Sequence, residues 1–347
     1  MPPSSPPTAT KAALDLHGIF GVSLQTLPML RSLTSLIRPP YRLQSVYERL
    51  LGTEIEVQVV ARNQQQAEAA ERTALDELER LSAVLSRFDP QSELSRWLTR
   101  TGERVRLSSE LRAVLALADD WRERTDGAFH PGADALGRLW QTAAAQGRGP
   151  DTGELTALTH HLQSGPWTLH GDGTATLHAT YPLGLNALAK GWIVDRMAAL
   201  AWQSPGVQAV LVNAGGDLRT MGGRGLTVTV ADPFTARDDA SPLARVQVQN
   251  GALASSGSAH RGVQVGGHWH SHLIDPRSGQ PVQHVPGVTV IAPDCAAADA
   301  LATALSVLGA LEGLALVHSL PDCAALIVTR DGQQHRSSLW PPDGPAQ

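Results

Sequence analysis

Cysteine is nearly absent from this sequence. Only Cys295 and Cys323 occur in 347 residues, both beside alanines and without CxxC spacing, which argues against a disulfide framework and a zinc knuckle. A surplus of one charge is also missing, because Lys+Arg 28 against Asp+Glu 33 leaves a formal net charge of -5. No broad positive field is available for nucleic acid or anionic lipid, and no nucleic-acid partner is expected. No uninterrupted apolar run approaches the roughly 20 residues of a membrane helix. The opening MPPSSPPTATKAALDLHG has an acidic residue where the apolar core of a leader would begin, residues 18–36 are broken by Pro28 and Arg31, and no lipoprotein cysteine stands there. Residues 1–40 are therefore expected to form a poorly ordered extension without a clear signal peptide.

What is present suffices for a core. At 42% hydrophobic residues the chain can build one large domain or two modest ones. Order is expected from Tyr41. The alternation in TEIEVQVV predicts a strand over 53–60, and apolar spacing predicts a helix over 64–85. A turn at Ser86-Arg87-Phe88-Asp89-Pro90 leads to a second helix over 107–125. Residues 147–166, rich in Gly and Pro, read as a surface connection, and WTLHGDGTATLHA reads as a hairpin. A helix over 185–202 precedes VQAVLVNAGGDLRTMG, a buried strand running into a glycine turn. Further strands are expected in LTVTVADP, ARVQVQNGALASSG, GGHWHSHLIDP, VPGVTVIAP and CAALIVTRDGQ. DCAAADALATALSVLG reads as a helix capped by Asp294 and stopped at Gly309. Helices and hairpins without regular βαβ alternation predict an α+β fold of mixed or antiparallel sheets with packed helices.

Several residues carry chemistry. Asp299 and Thr303, four apart on the last helix, share a face and offer oxygens to a hard cation; a solvated Asp and a Thr bonded to its own helix fit the same spacing. Gly215-Gly216-Asp217 lets backbone approach a ligand, or forms an ordinary tight turn. Lys190, before Gly191, reaches a pyrophosphate or snorkels to solvent. His268, His270 and His272 alternate on one strand face, as a zinc cluster or an exposed polar edge would.

The order of these segments narrows the choice. Ser86-Arg87-Phe88-Asp89-Pro90-Gln91-Ser92-Glu93-Leu94-Ser95, Gly127-Ala128-Phe129-His130-Pro131, Ala187-Leu188-Ala189-Lys190-Gly191-Trp192-Ile193-Val194-Asp195 and Val212-Asn213-Ala214-Gly215-Gly216-Asp217 come first. Ser256-Gly257, His272-Leu273-Ile274-Asp275-Pro276-Arg277-Ser278-Gly279-Gln280-Pro281 and Ala298-Asp299-Ala300-Leu301-Ala302-Thr303-Ala304 follow. Together they resemble the ApbE-type FAD:protein FMN transferase family across residues 50–308, and residues 41–340 are assigned to one such domain.

The resemblance implies magnesium held by the Ala187 carbonyl, Asp299 and Thr303, with Ala302 close by. It implies an FAD pocket from Leu51, Phe88, Ala128, Phe129, His130, Lys190 and Leu273, with Gly184 at a flavin contact, and it makes His272 the general base. It requires no zinc at His268 or His270. The implied reaction transfers FMN from FAD to a threonine or serine hydroxyl of a target flavoprotein and releases AMP. Water in place of that hydroxyl would make the protein an FAD pyrophosphatase, and loss of turnover would leave an FAD-binding protein. The implied partner is an acceptor of an electron-transfer system, with a periplasmic, membrane-associated setting reached through that acceptor. The chain departs from the family pattern at Gly184 and His130, where Asp is usual, and at Ser258-Ala259-His260, which replaces an acidic-aromatic run.

Overall fold

A computed structural model describes residues 10–11, 39–223, 225–235, 241–258 and 261–343. The expected N-terminal extension lies outside the described residues except at 10–11 and 39–40, as do Ala259 and His260. The α+β expectation holds. One nine-stranded sheet runs through the molecule in the order β1 (Thr10–Lys11), β2 (Tyr41–Leu50), β3 (Thr53–Ala61), β7 (Val207–Ala214), β8 (Asp217–Gly222), β11 (Ala252–Gly257), β14 (Gly287–Ala292), β15 (Ala324–Val328) and β16 (Gln334–Arg336). Every pairing in it is antiparallel. Three smaller units flank it: a three-stranded sheet of β4 (Arg104–Arg106), β6 (Thr174–Leu177) and β5 (Trp167–Leu169), the ribbon β9 (Leu226–Val230) with β10 (Ala244–Val248), and the ribbon β12 (Gly262–Val265) with β13 (His268–Ser271).

The period of two along each strand divides the main sheet into two buried faces. Ile55, Val57, Val59, Val210 and Val212 face the larger core, beneath α1 (Gln64–Leu85), α6 (Asn186–Gln203) and α7 (Cys295–Ser319). Leu211, Leu218, Leu253 and Leu326 face the other way, beneath Val230, Val246 and Val248 of the β9–β10 ribbon. α1 starts where Asn63 accepts the Gln66 amide, and Ala67, Ala70, Ala74, Leu78 and Leu81 put its apolar stripe on the sheet. α7 is long and apolar enough by length and composition to cross a membrane, yet it packs on α6, β11, β14 and β15.

Four segments differ from the sequence reading. β2 is a full strand, its inward positions being Leu43, Ser45 and Tyr47; the polar Ser45 interrupts the apolar alternation. α4 (Ala133–Ala145) begins at Gly132 with no side-chain cap, so no start signal precedes it. The expected connection over 147–166 contains α5 (Thr152–Leu162), where Asp151 accepts the amides of Gly153 and Glu154. Gly309, at φ 78°, kinks α7 without ending it, and helical turns resume to Ser319. The remaining helices are α2 (Glu93–Trp97) and α3 (Ser109–Arg124), capped by Ser92 and Ser108.

Candidate active site

α6, α7 and the β7–β8 turn meet at the floor of a cavity of about 1190 Å³, more than a drug-sized ligand needs. Its walls include Leu51, Ala128, Phe129, His130, Gly184, Ala187, Lys190, His272, Leu273, Asp299 and Thr303. Thus the structure gathers residues from 51 to 303 that were singled out separately in sequence. Two others lie off the lining. Phe88 is 78% exposed, its ring 4.9 Å from the Arg87 guanidinium. Ala302 is buried in the core, and its carbonyl accepts the Ser306 hydroxyl at 2.9 Å.

The floor is an acid–base cluster. Lys190 ion-pairs with Asp217 and reaches the Ala214 carbonyl at 3.4 Å. Burial alone would discharge Lys190, but Asp299 and Asp217 outweigh it and hold the ammonium above its ordinary pKa. Burial raises the Asp217 pKa against the pull of Lys190. It raises that of Asp299 further, and the neighbouring Asp217 adds to the effect. The two carboxyls are close enough for their charges to oppose each other, so a proton held on one of them relieves the like-charge contact.

Backbone geometry holds this cluster together. A Cβ on Gly191 would stand 2.5 Å from the Cys295 carbonyl oxygen, so glycine is what lets α6 approach the first turn of α7 this closely. The Gly191 backbone favours the ionised form of Asp299 and so works against the burial that raises its pKa. Ala187, one turn before Gly191, leaves helical geometry at φ −84°, ψ 17°. One turn along α6, Asp195 accepts the amides of Cys295 at 2.8 Å and Ala296 at 2.9 Å, while Asp294 accepts that of Ala297 at 2.8 Å. Two carboxylates therefore satisfy the donors that open α7. Arg219 lies 3.7 Å from Asp195 and donates to the Pro293 carbonyl. Burial nevertheless pushes the Asp195 pKa up to about 7.

The open side is built differently. His272 follows the β12–β13 ribbon, and both its amide and its Nδ1 lie 3.0 Å from the Arg261 carbonyl. A carbonyl only accepts, so Nδ1 carries the proton and the Nε2 lone pair is free in the neutral ring. Desolvation holds its pKa below the usual imidazole value. His270 instead stacks on Trp140, with centroids 4.9 Å apart, while His268 is exposed. His130 accepts the Gly132 amide at Nδ1, 2.8 Å away, and burial lowers its pKa to about 4. At Gly184, a Cβ would stand 2.8 Å from Arg87 Nη1 and 3.2 Å from the Asp134 Cβ. The Arg87–Asp134 ion pair, 2.7 Å long, fills that space.

Sequence reading left three features without a role. Asp217 was only the residue after a glycine turn, Asp195 only the end of a motif, and Arg87–Asp134 joins residues 47 apart in sequence. Gly191 and Asp195 are spaced i, i+4, so one helix face carrying a small residue and an acid was the available signal.

An α+β scaffold enclosing a large cavity over a lysine–carboxylate floor has the form of an enzyme site. Its relatives narrow that class. The ApbE family model matches residues 51–327. A FAD:protein FMN transferase of Vibrio cholerae is 30% identical over 283 residues, 78% of this chain and 84% of that protein. Another, of Treponema pallidum, is 29% identical over 313 residues, covering 84% and 86%. The crystal structure of an ApbE protein from Thermotoga maritima superposes with TM-score 0.73 at 26% identity, covering 86% of this chain and 97% of that one. An apo flavinyl transferase ApbE from Pseudomonas stutzeri gives TM-score 0.71 at 25% identity, covering 86% and 95%. The chain belongs to the ApbE family and is an enzyme of that family.

Proposed function

We propose that the protein transfers the FMN half of FAD to a threonine or serine hydroxyl of another protein, with AMP as leaving group and magnesium required. The carrying observation is the Lys190–Asp217–Asp299 floor, with Asp217 buried and Lys190 and Asp299 half-buried, beneath a cavity whose open side bears a histidine of fixed tautomer. The FMN-side phosphorus gains a bond to the acceptor oxygen and loses its bond to the bridging oxygen, which departs on AMP. His272 Nε2 takes the proton of the attacking hydroxyl, because its depressed pKa keeps the ring neutral near pH 7. Lys190, held charged by its two carboxylates, faces the pyrophosphate and offsets its charge.

The residues present fit magnesium. Asp299 keeps a buried Oδ2 without a hydrogen-bond partner. The Ala187 carbonyl lies where α6 departs from helical geometry, and Ala187 and Thr303 both line the same cavity. Among the described residues no three His, Cys, Asp or Glu groups form a metal cluster. One carboxylate with a carbonyl and a hydroxyl, completed by substrate phosphate, suits magnesium better than zinc. Bound there, the ion would stabilise charge on the leaving phosphate. The acceptor is a protein of an electron-transfer system in a periplasmic setting, and any membrane association comes through it.

Incubation with FAD, magnesium and a threonine peptide, read by mass spectrometry, tests the proposal. AMP together with peptide heavier by FMN is expected. AMP with free FMN alone would make the protein a hydrolase, and intact FAD would sink the reading.

A further inference from the structure

The flavin-transfer reading leaves one wall of the cavity unused, the C-terminal half of β11. Along its whole length β11 pairs with β14, from Ala252↔Ala292 to Gly257↔Gly287. On its other side β8 covers only Ala252 and Leu253, because the chain turns away before Asp217 through Gly215 and Gly216, at φ 60° and 97°.

The phase of the ladder decides where the remaining main-chain groups point. Residues of an antiparallel strand bond the two neighbours alternately. Ser258 N–H donates to the Pro286 carbonyl at 3.0 Å, and Thr220 N–H donates to the Gly251 carbonyl at 2.8 Å. Even-numbered residues of β11 therefore bond β14, and Leu253, Ser255 and Gly257 direct their N–H and C=O toward the β8 side. Beyond Leu253 no strand among the described residues stands there. Ser255 and Gly257 both line the reaction cavity and are exposed. They also line an adjoining hollow of about 160 Å³ walled by Val230, Leu243, Val288, Leu326 and Val328.

We infer that this free edge of β11 binds the acceptor polypeptide, as an extended segment added to the sheet beside Ser255 and Gly257 with a small or aliphatic side chain in the adjoining hollow. The inference rests on the flavin-transfer reading. That reaction needs a protein hydroxyl inside the cavity, and none of the residues matched to FAD comes from β11. Main-chain donors and acceptors two residues apart match the repeat of an extended chain, which is how strand addition gives affinity without demanding a particular sequence. The absence of a bulky side chain at Ser255 and Gly257 lets another backbone come close.

Two experiments test it. With the parent enzyme, FAD and magnesium, a synthetic peptide of small residues around one threonine is methylated at each backbone amide in turn. Loss of transfer at alternate amides, with the intervening ones tolerated, is expected; uniform tolerance or uniform loss would overturn strand addition. In the enzyme, Ser255→Pro removes an N–H that no sheet bond uses, whereas Ser255→Ala removes only the hydroxyl that meets Thr289 at 2.9 Å. Ser255→Pro should raise the peptide KM roughly three- to tenfold, the worth of one main-chain hydrogen bond, with FAD affinity by flavin fluorescence unchanged and Ser255→Ala close to the parent. Weakened FAD binding in the proline variant at normal peptide KM would assign the edge to the dinucleotide instead. If the parent cleaves FAD and labels no peptide, the transferase reading itself fails and this inference falls with it.

Discussion

At the floor of the cavity each charged group is held by another charge or by backbone. At the rim His272 is held by one carbonyl, that of Arg261, at the end of a two-stranded ribbon. The floor is continuous with the larger core: α6 and α7 touch through Gly191 and carry Lys190 and Asp299, which meet Asp217 of β8. Rigidity suits the floor, because charge stabilisation in phosphoryl transfer depends on groups already in place. A ribbon suits the rim, because an acceptor protein must enter and leave there.

The two halves should fail in different ways. The largest effect is expected at the rim. His272→Ala should lower transfer by roughly 10²–10⁴-fold, the range for a positioned base, with FAD affinity and melting temperature little changed. In the parent, transfer should rise with pH through the lowered imidazole pKa, below about 6.5, and that limb should vanish in the variant. Single-turnover transfer at several pH values measures both, and normal transfer by the variant would move the base assignment elsewhere.

Next comes the floor. Asp299→Ala should weaken magnesium binding by more than the roughly 10–100-fold that loss of an outer partner costs, measured by titration calorimetry, while the fold survives because the like-charge repulsion between Asp217 and Asp299 is also relieved. Unchanged magnesium affinity would refute the ion site. Gly191→Ala breaks the comparison from beneath. Its Cβ meets backbone of Cys295 and Ala296 at 2.5–2.9 Å, so α6 and α7 must part at a cost of about 1–3 kcal/mol. Denaturant unfolding would show that loss, and magnesium affinity should fall with it. A variant as stable as the parent would mean the helices are not held by this contact.

Much of this was legible from the chain, for identifiable reasons. Gln64–Leu85 was read at both ends because it is long, strongly periodic and flanked by polar turns. Lys190, His272 and Asp299 sit in contiguous motifs, so each could be found without knowing its neighbours. Asp217 as the partner of Lys190, and Arg87–Asp134 in the space beside Gly184, depend on strands and helices distant in sequence. No local pattern records those contacts. α4 escaped notice for lack of a capping side chain. The free edge of β11 is invisible from sequence, because it arises where β8 stops short rather than from any residue in β11.

The smallest expected effect concerns Asp195, and it asks how much of the floor's rigidity is electrostatic. Its pKa is raised in the folded protein from 3.8 to about 7 by burial, against the pull of the Cys295 and Ala296 amides. The sign follows from linkage. A carboxyl that holds its proton more tightly when folded contributes stability below its unfolded pKa, and that contribution is lost as pH rises through the folded value. The parent should therefore lose stability from this group between about pH 4 and pH 7. Asp195→Asn cannot ionise, but it keeps only one acceptor for two amides, so it should start roughly 1 kcal/mol below the parent at pH 5. The gap should narrow as pH rises to 8, since only the parent bears a growing cost. Urea unfolding of both proteins at pH 5, 6.5 and 8 measures the difference. A gap that widens with pH would mean the ionised carboxylate is what α7 needs, and that its two amide bonds and Arg219 outweigh burial.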